Sequence, residues 1–194
     1  MKTFLNAIKK YFADFGTAVA KGDIWCKLSL LVMGAGYWGR KQIVKGVLIT
    51  ALEVVVILFT GMFSINYIKD LNTLGTVQYE SVFDPLTLKN TVNDYDNSLL
   101  ILLYGIIGIL VIVAFIFLYI SNMKAVYRLQ LMKEEGEHVN TFAEDIKSLF
   151  NGKFYITLLT LPSIGVIMMN IIPIIFMSCV AFTNYDMDHM PPNY

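Results

Sequence analysis

Charge is what this chain has least of. Asp, Glu, Lys and Arg make up 15% of its 194 residues, against about 25% in soluble domains. The formal net charge is zero, so no strong field of one sign points to nucleic acid or to an acidic partner. Cysteines number two and histidines two, and no Cys/His spacing suggests a metal site. No polar segment is long enough to suggest a separate soluble enzyme domain. The first 20 residues lack an uninterrupted apolar core and a convincing cleavage site, which excludes a secretory signal. Internal repeats and low-complexity tracts are absent too.

What is present in excess is apolar surface, 56% of residues, concentrated in three long runs. They extend from Val44 to Phe63, Ser98 to Ile120 and Phe154 to Phe182, and the middle one carries no charged residue. At about 1.5 Å rise per residue, some 20 residues cross a hydrocarbon core about 30 Å thick. The expected fold is an all-α integral membrane protein with three transmembrane helices. The third run is long enough that it must tilt, bend or protrude.

Residues Phe4, Ile8, Tyr11, Phe12, Phe15 and Val19 recur at helical spacing, with lysines at the polar positions. This pattern predicts an N-terminal amphipathic interfacial helix; the alternative is a helix packed on protein. Lys and Arg set orientation. Thirteen of the fifteen lie before the first run, at its second residue (Lys45), or between the second and third, and two, Lys69 and Lys89, come after the first run. The N-terminus is therefore expected in the cytoplasm and the C-terminus outside. The resulting organisation is a cytoplasmic amphipathic segment 1–43, spans 44–63, 98–120 and 154–182, an outer loop 64–97, a cytoplasmic helical loop 121–153, and the start of a second outer loop 183–194. On this topology Cys26 and Cys179 lie on opposite sides. They cannot approach within the roughly 7 Å between Cα atoms that a disulfide needs, and read as small buried side chains.

Leu28 to Trp38 is apolar but too short to span. It is expected at the interface or packed under the first helix, with Trp25, Tyr37 and Trp38 at headgroup level. The outer loop, with Asp84-Pro85 as a turn signal, could hold a short helix or hairpin. In the inner loop, Met123 to Glu135 continues the second helix and Gly136 breaks it. Thr141 to Glu144 matches a capping box, opening a short helix with Phe142, Ile146, Leu149 and Phe150 on one face. Gly152 is its expected stop.

Chemistry-bearing residues are few. Gly34-Ala35-Gly36-Tyr37-Trp38-Gly39 spells G-x-G-x-x-G, but a dinucleotide site needs a preceding strand and a later acid. Here a basic cluster and a span come next, so close backbone packing at the membrane surface is the better reading. Glu53 lies about 13 Å into the first span, where a carboxylate must face protein or water and have a partner. A pathway or proton-relay role is one reading. A buried group bonded to a neighbouring helix is favoured, with Tyr104, Thr157, Thr160, Ser163 and Asn170 as polar candidates. Proton coupling would need further acids or His in the spans, and none exist. In the third span Pro162 and Pro173 mark helix kinks. Ser163 and Asn170 are seven apart and share a face, suited to interhelical hydrogen bonding. His138 among Glu134, Glu135 and Glu137, and His189 beside Asp186 and Asp188, read as solvated polar loops before they read as cation sites. No catalytic, cofactor-binding or metal residue is assigned.

Several segments together resemble the membrane-spanning permease subunits of carbohydrate ABC importers. They are Ala181-Phe182-Thr183-Asn184-Tyr185-Asp186 with Pro191-Pro192, Lys27 to Gly34, Gln42 to Gly46, Leu74-Gly75-Thr76, Leu161-Pro162-Ser163 and Ile172-Pro173-Ile174. Within that family the similarity is to the maltose and maltodextrin-type F permease of Gram-positive bacteria. The resemblance implies a multi-pass subunit of the bacterial cytoplasmic membrane. Its partners would be a second permease, cytoplasmic ATPase subunits and an extracytoplasmic sugar-binding protein, besides the lipid bilayer. Sugar would move inward by alternating access, with ATP hydrolysed on the partner, so the subunit is not itself an enzyme. Family members continue through further spans and a coupling loop with a Glu-Ala-Ala signature, which nothing here matches. The expectation is thus an N-terminal portion or fragment, with sugar-contacting and ATPase-coupling residues beyond Tyr194. The competing expectation is a small three-helix membrane adaptor or assembly protein without transport activity.

Overall fold

A computed structural model describes residues 2–77, 80–86, 88–183 and 185. Asn184, Asp186, Asp188, His189 and the Pro191-Pro192 pair lie outside the described residues, as do the side chains of Phe4 and Ile8. Three uninterrupted helical stretches are long and apolar enough to cross a membrane: Ile43–Asp70, Ser98–Glu134 and Phe154–Val180. The protein is thus helical and multi-pass. Among the described residues the sole strands are two short ones outside the spans.

In chain order the elements are α1 (Lys2–Lys21), α2 (Ile24–Leu28), α3 (Ala35–Trp38) and α4 (Ile43–Phe59). A π-helical turn, Thr60–Ser64, joins α4 to α5 (Ile65–Asp70). Strands β1 (Ser81–Asp84) and β2 (Lys89–Val92) come next, then α6 (Ser98–Glu134) and α7 (Phe142–Phe150). The third span comprises α8 (Phe154–Val166), a π turn at Ile167–Ile171, and α9 (Ile172–Val180). Contacts divide the chain into two compact units, Met1–Ile57 with Val113–Leu158, and Leu58–Ile112 with Leu159–Tyr194.

The first unit has its core where α1, α2 and α3 meet the lower half of α6. Cys26, Tyr37, Met123 and Val126 are buried together, with Phe15, Val19 and Ile49 packed on them. The α1 helix lies on α6. The Tyr11 hydroxyl reaches the Phe117 carbonyl at 3.0 Å and Ser121 Oγ at 2.8 Å, Lys124 Nζ sits 4.1 Å over the Tyr11 ring, and Ala18 is wholly buried. One face of this amphipathic helix is therefore covered by protein, while Phe12 is exposed. In the inner loop, Thr141 Oγ1 accepts from the Glu144 amide at 3.4 Å while Glu144 Oε2 accepts from the Thr141 amide at 2.7 Å. This reciprocal cap satisfies two of the amides that every helix start leaves orphaned. The helix it opens, α7, is tied to the start of α4: Lys45 pairs with Asp145 and donates to the Asn140 carbonyl at 2.7 Å.

In the second unit, an aromatic cluster joins the end of α4 to α6. Phe63 lies 4.9 Å from Tyr67 and 5.3 Å from Tyr104, centroid to centroid, and Phe59 stacks on Phe63 at 5.4 Å. Such spacings suit edge and offset ring packing. Beyond it the chain forms an antiparallel hairpin with Ser81 opposite Val92 and Asp84 opposite Lys89. The turn between includes Pro85, which has no N–H to offer a ladder. The hairpin's base is held by Asp96, whose Oδ2 accepts the amides of Thr76 at 2.8 Å and Val77 at 3.0 Å. Those two bonds to the charged form hold its carboxyl below the ordinary value.

Candidate functional site

The most heavily bonded region of the first unit is the segment between α2 and α4, residues 29–42. It is too short to span, and Ser29, Met33, Gly36 and Arg40 in it all have fixed partners. Three glycines set its path. A Cβ on Gly34 would overlap the Gly46 carbonyl oxygen and Thr50 Oγ1 of α4. On Gly36 it would strike Val126 of α6 and Ser29 Oγ, and on Gly39 the Trp25 ring. The G-x-G-x-x-G string is therefore a packing motif, in which the loop backbone rests directly on two helices. Among the described residues no strand precedes it, so the dinucleotide geometry is not formed.

Glu53 closes this contact from α4. It is 8% exposed, and its Oε2 accepts the amide of Met33 at 2.8 Å. From α6, Asn122 Nδ2 donates to the Met33 carbonyl at 2.9 Å. Both backbone groups of one residue are thus taken by side chains from two different spans. Tyr119, one turn from Asn122, donates to the Leu30 carbonyl at 2.9 Å, and Ser29 Oγ accepts the Gly36 amide at 2.7 Å. Buried away from water, an unbonded amide or carbonyl costs about 1–3 kcal/mol or more. The clamp allows a non-helical loop to sit against two spans.

A second set of bonds fixes the base of the segment. Arg40 is nearly buried and reaches Asp23 Oδ1 at 3.0 Å and the Gly36 carbonyl at 2.6 Å. The same Asp23 oxygen caps α2 by accepting the Cys26 amide at 2.7 Å. The Asp23 amide donates to Gln130 Oε1 at 2.9 Å, and Gln130 Nε2 to Glu134 at 2.8 Å. Burial pushes the Cys26 thiol and the Tyr37 hydroxyl up, partly offset by Arg40. Neither is an available nucleophile or acid near neutral pH.

Of the residues singled out in the sequence, Glu53 belongs to the first unit, whereas Ser163 and Asn170 belong to the second. Ser163 and Asn170 are exposed and make no side-chain hydrogen bond among the described residues. Pro162 lies inside α8, and Pro173 stands in the first turn of α9 directly after the π turn that holds Asn170. Thr157 donates to the Leu149 carbonyl at 2.9 Å, and Tyr104 sits in the aromatic cluster. His138 faces Glu144 at 3.1 Å in an exposed pair. Among the described residues no three His, Cys, Asp or Glu side chains converge as metal ligands would.

Asn122, Tyr119, Ser29 and Gln130 escaped the reading of the sequence. The signal was there as two stripes. Tyr119, Asn122, Val126 and Gln130 recur at three and four residues along α6, and Gly46, Thr50 and Glu53 do so along α4, so each set faces one way. What no periodicity shows is that the partner of both stripes is a loop backbone. The arrangement positions backbone and excludes water; it assembles no reacting group.

Comparison with known proteins bears on what such a scaffold serves. Over 164 residues, 84% of its length, the chain is 31% identical to the maltodextrin transport system permease protein MdxF of Bacillus subtilis. Over the same length it is 26% identical to the maltodextrin transport system permease protein MalC of Streptococcus pneumoniae. It is also 28% identical over 163 residues to the galactooligosaccharides transport system permease protein GanP of Bacillus subtilis. The chain spans about a third of the length of each, 34 to 35%. No family model and no solved structure matches it. With three helices fit to span a membrane, the chain is related by sequence to the permease proteins of maltodextrin and galactooligosaccharide transport systems.

Proposed function

We propose that this chain forms part of the membrane-spanning permease subunit of a maltodextrin-type oligosaccharide ABC importer. The observation that carries the reading is similarity over 84% of the chain to permease proteins of such systems. The subunit works in the bacterial cytoplasmic membrane with a second permease, cytoplasmic ATPase subunits and an extracytoplasmic sugar-binding protein. Sugar moves inward by alternating access, powered by ATP hydrolysis on the partner ATPases, so the permease itself is no enzyme. The clamp around Met33 suits this role as fixed scaffold: it locks the pre-span loop to two spans through Glu53, Asn122 and Tyr119. The excess of Lys and Arg before α4 and after the apolar part of α6 supports a cytoplasmic N-terminus.

The test is genetic and quantitative. Disrupting the gene in its own host within codons 43–180 is expected to abolish uptake of labelled maltodextrin or galactooligosaccharide and leave glucose uptake intact. Unchanged uptake of both oligosaccharides would overturn the proposal. For orientation, alkaline phosphatase fused after Asn93 should be active and the same fusion after His138 inactive; the reverse pattern would invert the topology.

A further inference from the structure

A cavity of about 430 Å³ opens between α1 and α6, away from the Met33 clamp. Its walls are Asp14 and Thr17 of α1 with Lys124, Tyr127 and Arg128 of α6. The two cations are four residues apart and share a helix face. Their height is set by the helix itself. The apolar run of α6 ends at Ile120, and Ser121–Met123 come next, so Lys124 stands about 6 Å and Arg128 about 12 Å beyond Ile120. That is headgroup level, where phosphates sit outside the hydrocarbon core.

The bonding inside the cavity is incomplete in a particular way. Asp14 is answered by Lys124 at 3.5 Å, and Thr17 spends its hydroxyl on the Ala13 carbonyl at 2.9 Å. Arg128 has no ion pair or hydrogen bond, and Tyr127 has no hydroxyl partner, among the described residues. The exposed Arg128 and the half-buried Tyr127, which also packs on the core of the first unit, thus line one opening that carries one net positive charge. Guanidinium donors in a fork match phosphate oxygens, and basic pockets beside spans are sites for anionic lipid headgroups.

We infer that the α1–α6 cavity holds the phosphate headgroup of an anionic phospholipid, with Arg128 and Tyr127 as donors and Lys124 as supporting charge. The site requires only that α6 spans a membrane, and stands whether or not the chain serves sugar import. α1, lying on α6 at this level, forms one wall and is held against the bilayer by the bound lipid.

The experiment is native mass spectrometry of the purified full-length chain in detergent, titrated with dioleoylphosphatidylglycerol or dioleoylphosphatidylcholine. Phosphatidylglycerol is expected to bind at least fivefold more tightly. Arg128→Gln should lose about fivefold of that affinity, the effect of one basic residue at a membrane surface, and Tyr127→Phe about threefold. Lys133→Gln removes the same charge elsewhere on exposed α6 surface and should change nothing. Lys124 is left intact because it also holds Asp14 and Tyr11. Three outcomes would overturn the inference. Arg128→Gln could bind like the parent, Lys133→Gln could lose as much, showing diffuse surface charge, or excess inorganic phosphate could displace the lipid, showing a site for soluble phosphate.

Discussion

Gly34 rests on Gly46 so closely that a Cβ at position 34 would occupy the space of the Gly46 carbonyl oxygen. Backbone meets backbone there, with no flexible side chain able to move aside. Gly34→Ala should therefore destabilise the first unit by about 1–3 kcal/mol, the usual cost of overpacking. Gly61, whose added Cβ would meet nothing within 4 Å, is the control. Thermal unfolding in detergent, monitored by size-exclusion fluorescence, should separate Gly34→Ala from Gly61→Ala by several degrees. Equal stability of the two would show that the loop does not lie on α4.

Glu53 serves Met33 as an acceptor, so its charge matters less than its oxygen. Glu53→Gln keeps an acceptor and should fold with near-parent stability. Glu53→Leu leaves the Met33 amide buried and unbonded, at about 1–3 kcal/mol. The comparison that decides is Gln against Leu in the same melting assay. Should Gln prove as damaging as Leu, the carboxylate would be needed for something beyond the Met33 bond.

Arg40 is nearly buried, and its loss strands Asp23 and the Gly36 carbonyl together. Breaking one side of a buried pair costs about 3–5 kcal/mol; the partial exposure of Asp23 places this pair toward the lower figure. Arg40→Met should lower the melting temperature, and Arg40→Met with Asp23→Asn should recover part of the loss, since the stranded charge is gone. Absence of recovery would mean that Arg40 acts mainly through the Gly36 carbonyl.

The outer loop should respond to acid through Asp96. Its folded carboxyl is held low by two amide bonds, so its contribution is complete above the unfolded value near 3.8 and fades as pH falls through the folded one. The amide resonances of Thr76 and Val77 should therefore shift together, with a midpoint below 3.8. In Asp96→Asn that shared titration should vanish. Separate midpoints for the two amides would argue against one shared carboxylate.

Much of this was legible in residues 44–63, 98–120 and 154–182, because apolar length is a direct physical requirement of spanning. The cap at Thr141 and Glu144 was legible for a similar reason: its atoms lie within four residues of one another. The glycine string could be steered away from a nucleotide site by the basic cluster and the span on its C-terminal side. The partner of Glu53 was not legible. A polar side chain announces itself by residue type, whereas the group Glu53 meets is a backbone amide, which every residue but proline owns. Nor was the cover over α1 visible. An amphipathic pattern says that one face avoids water, and both lipid and α6 satisfy that demand.

The π turn at Ile167–Ile171 gives the third span a property that its apolar composition hides. A π turn accommodates one residue more than an α-helix would, and one residue is about 100° of rotation. The turn absorbs that extra residue, so removing one there would restore plain helix while Pro173 to Val180 keep their facing relative to Leu159 to Val166. The span is thus two helical segments that one helical wheel does not fit, offset by a single residue of slack. A helical wheel drawn from one end assigns the wrong neighbours at the other.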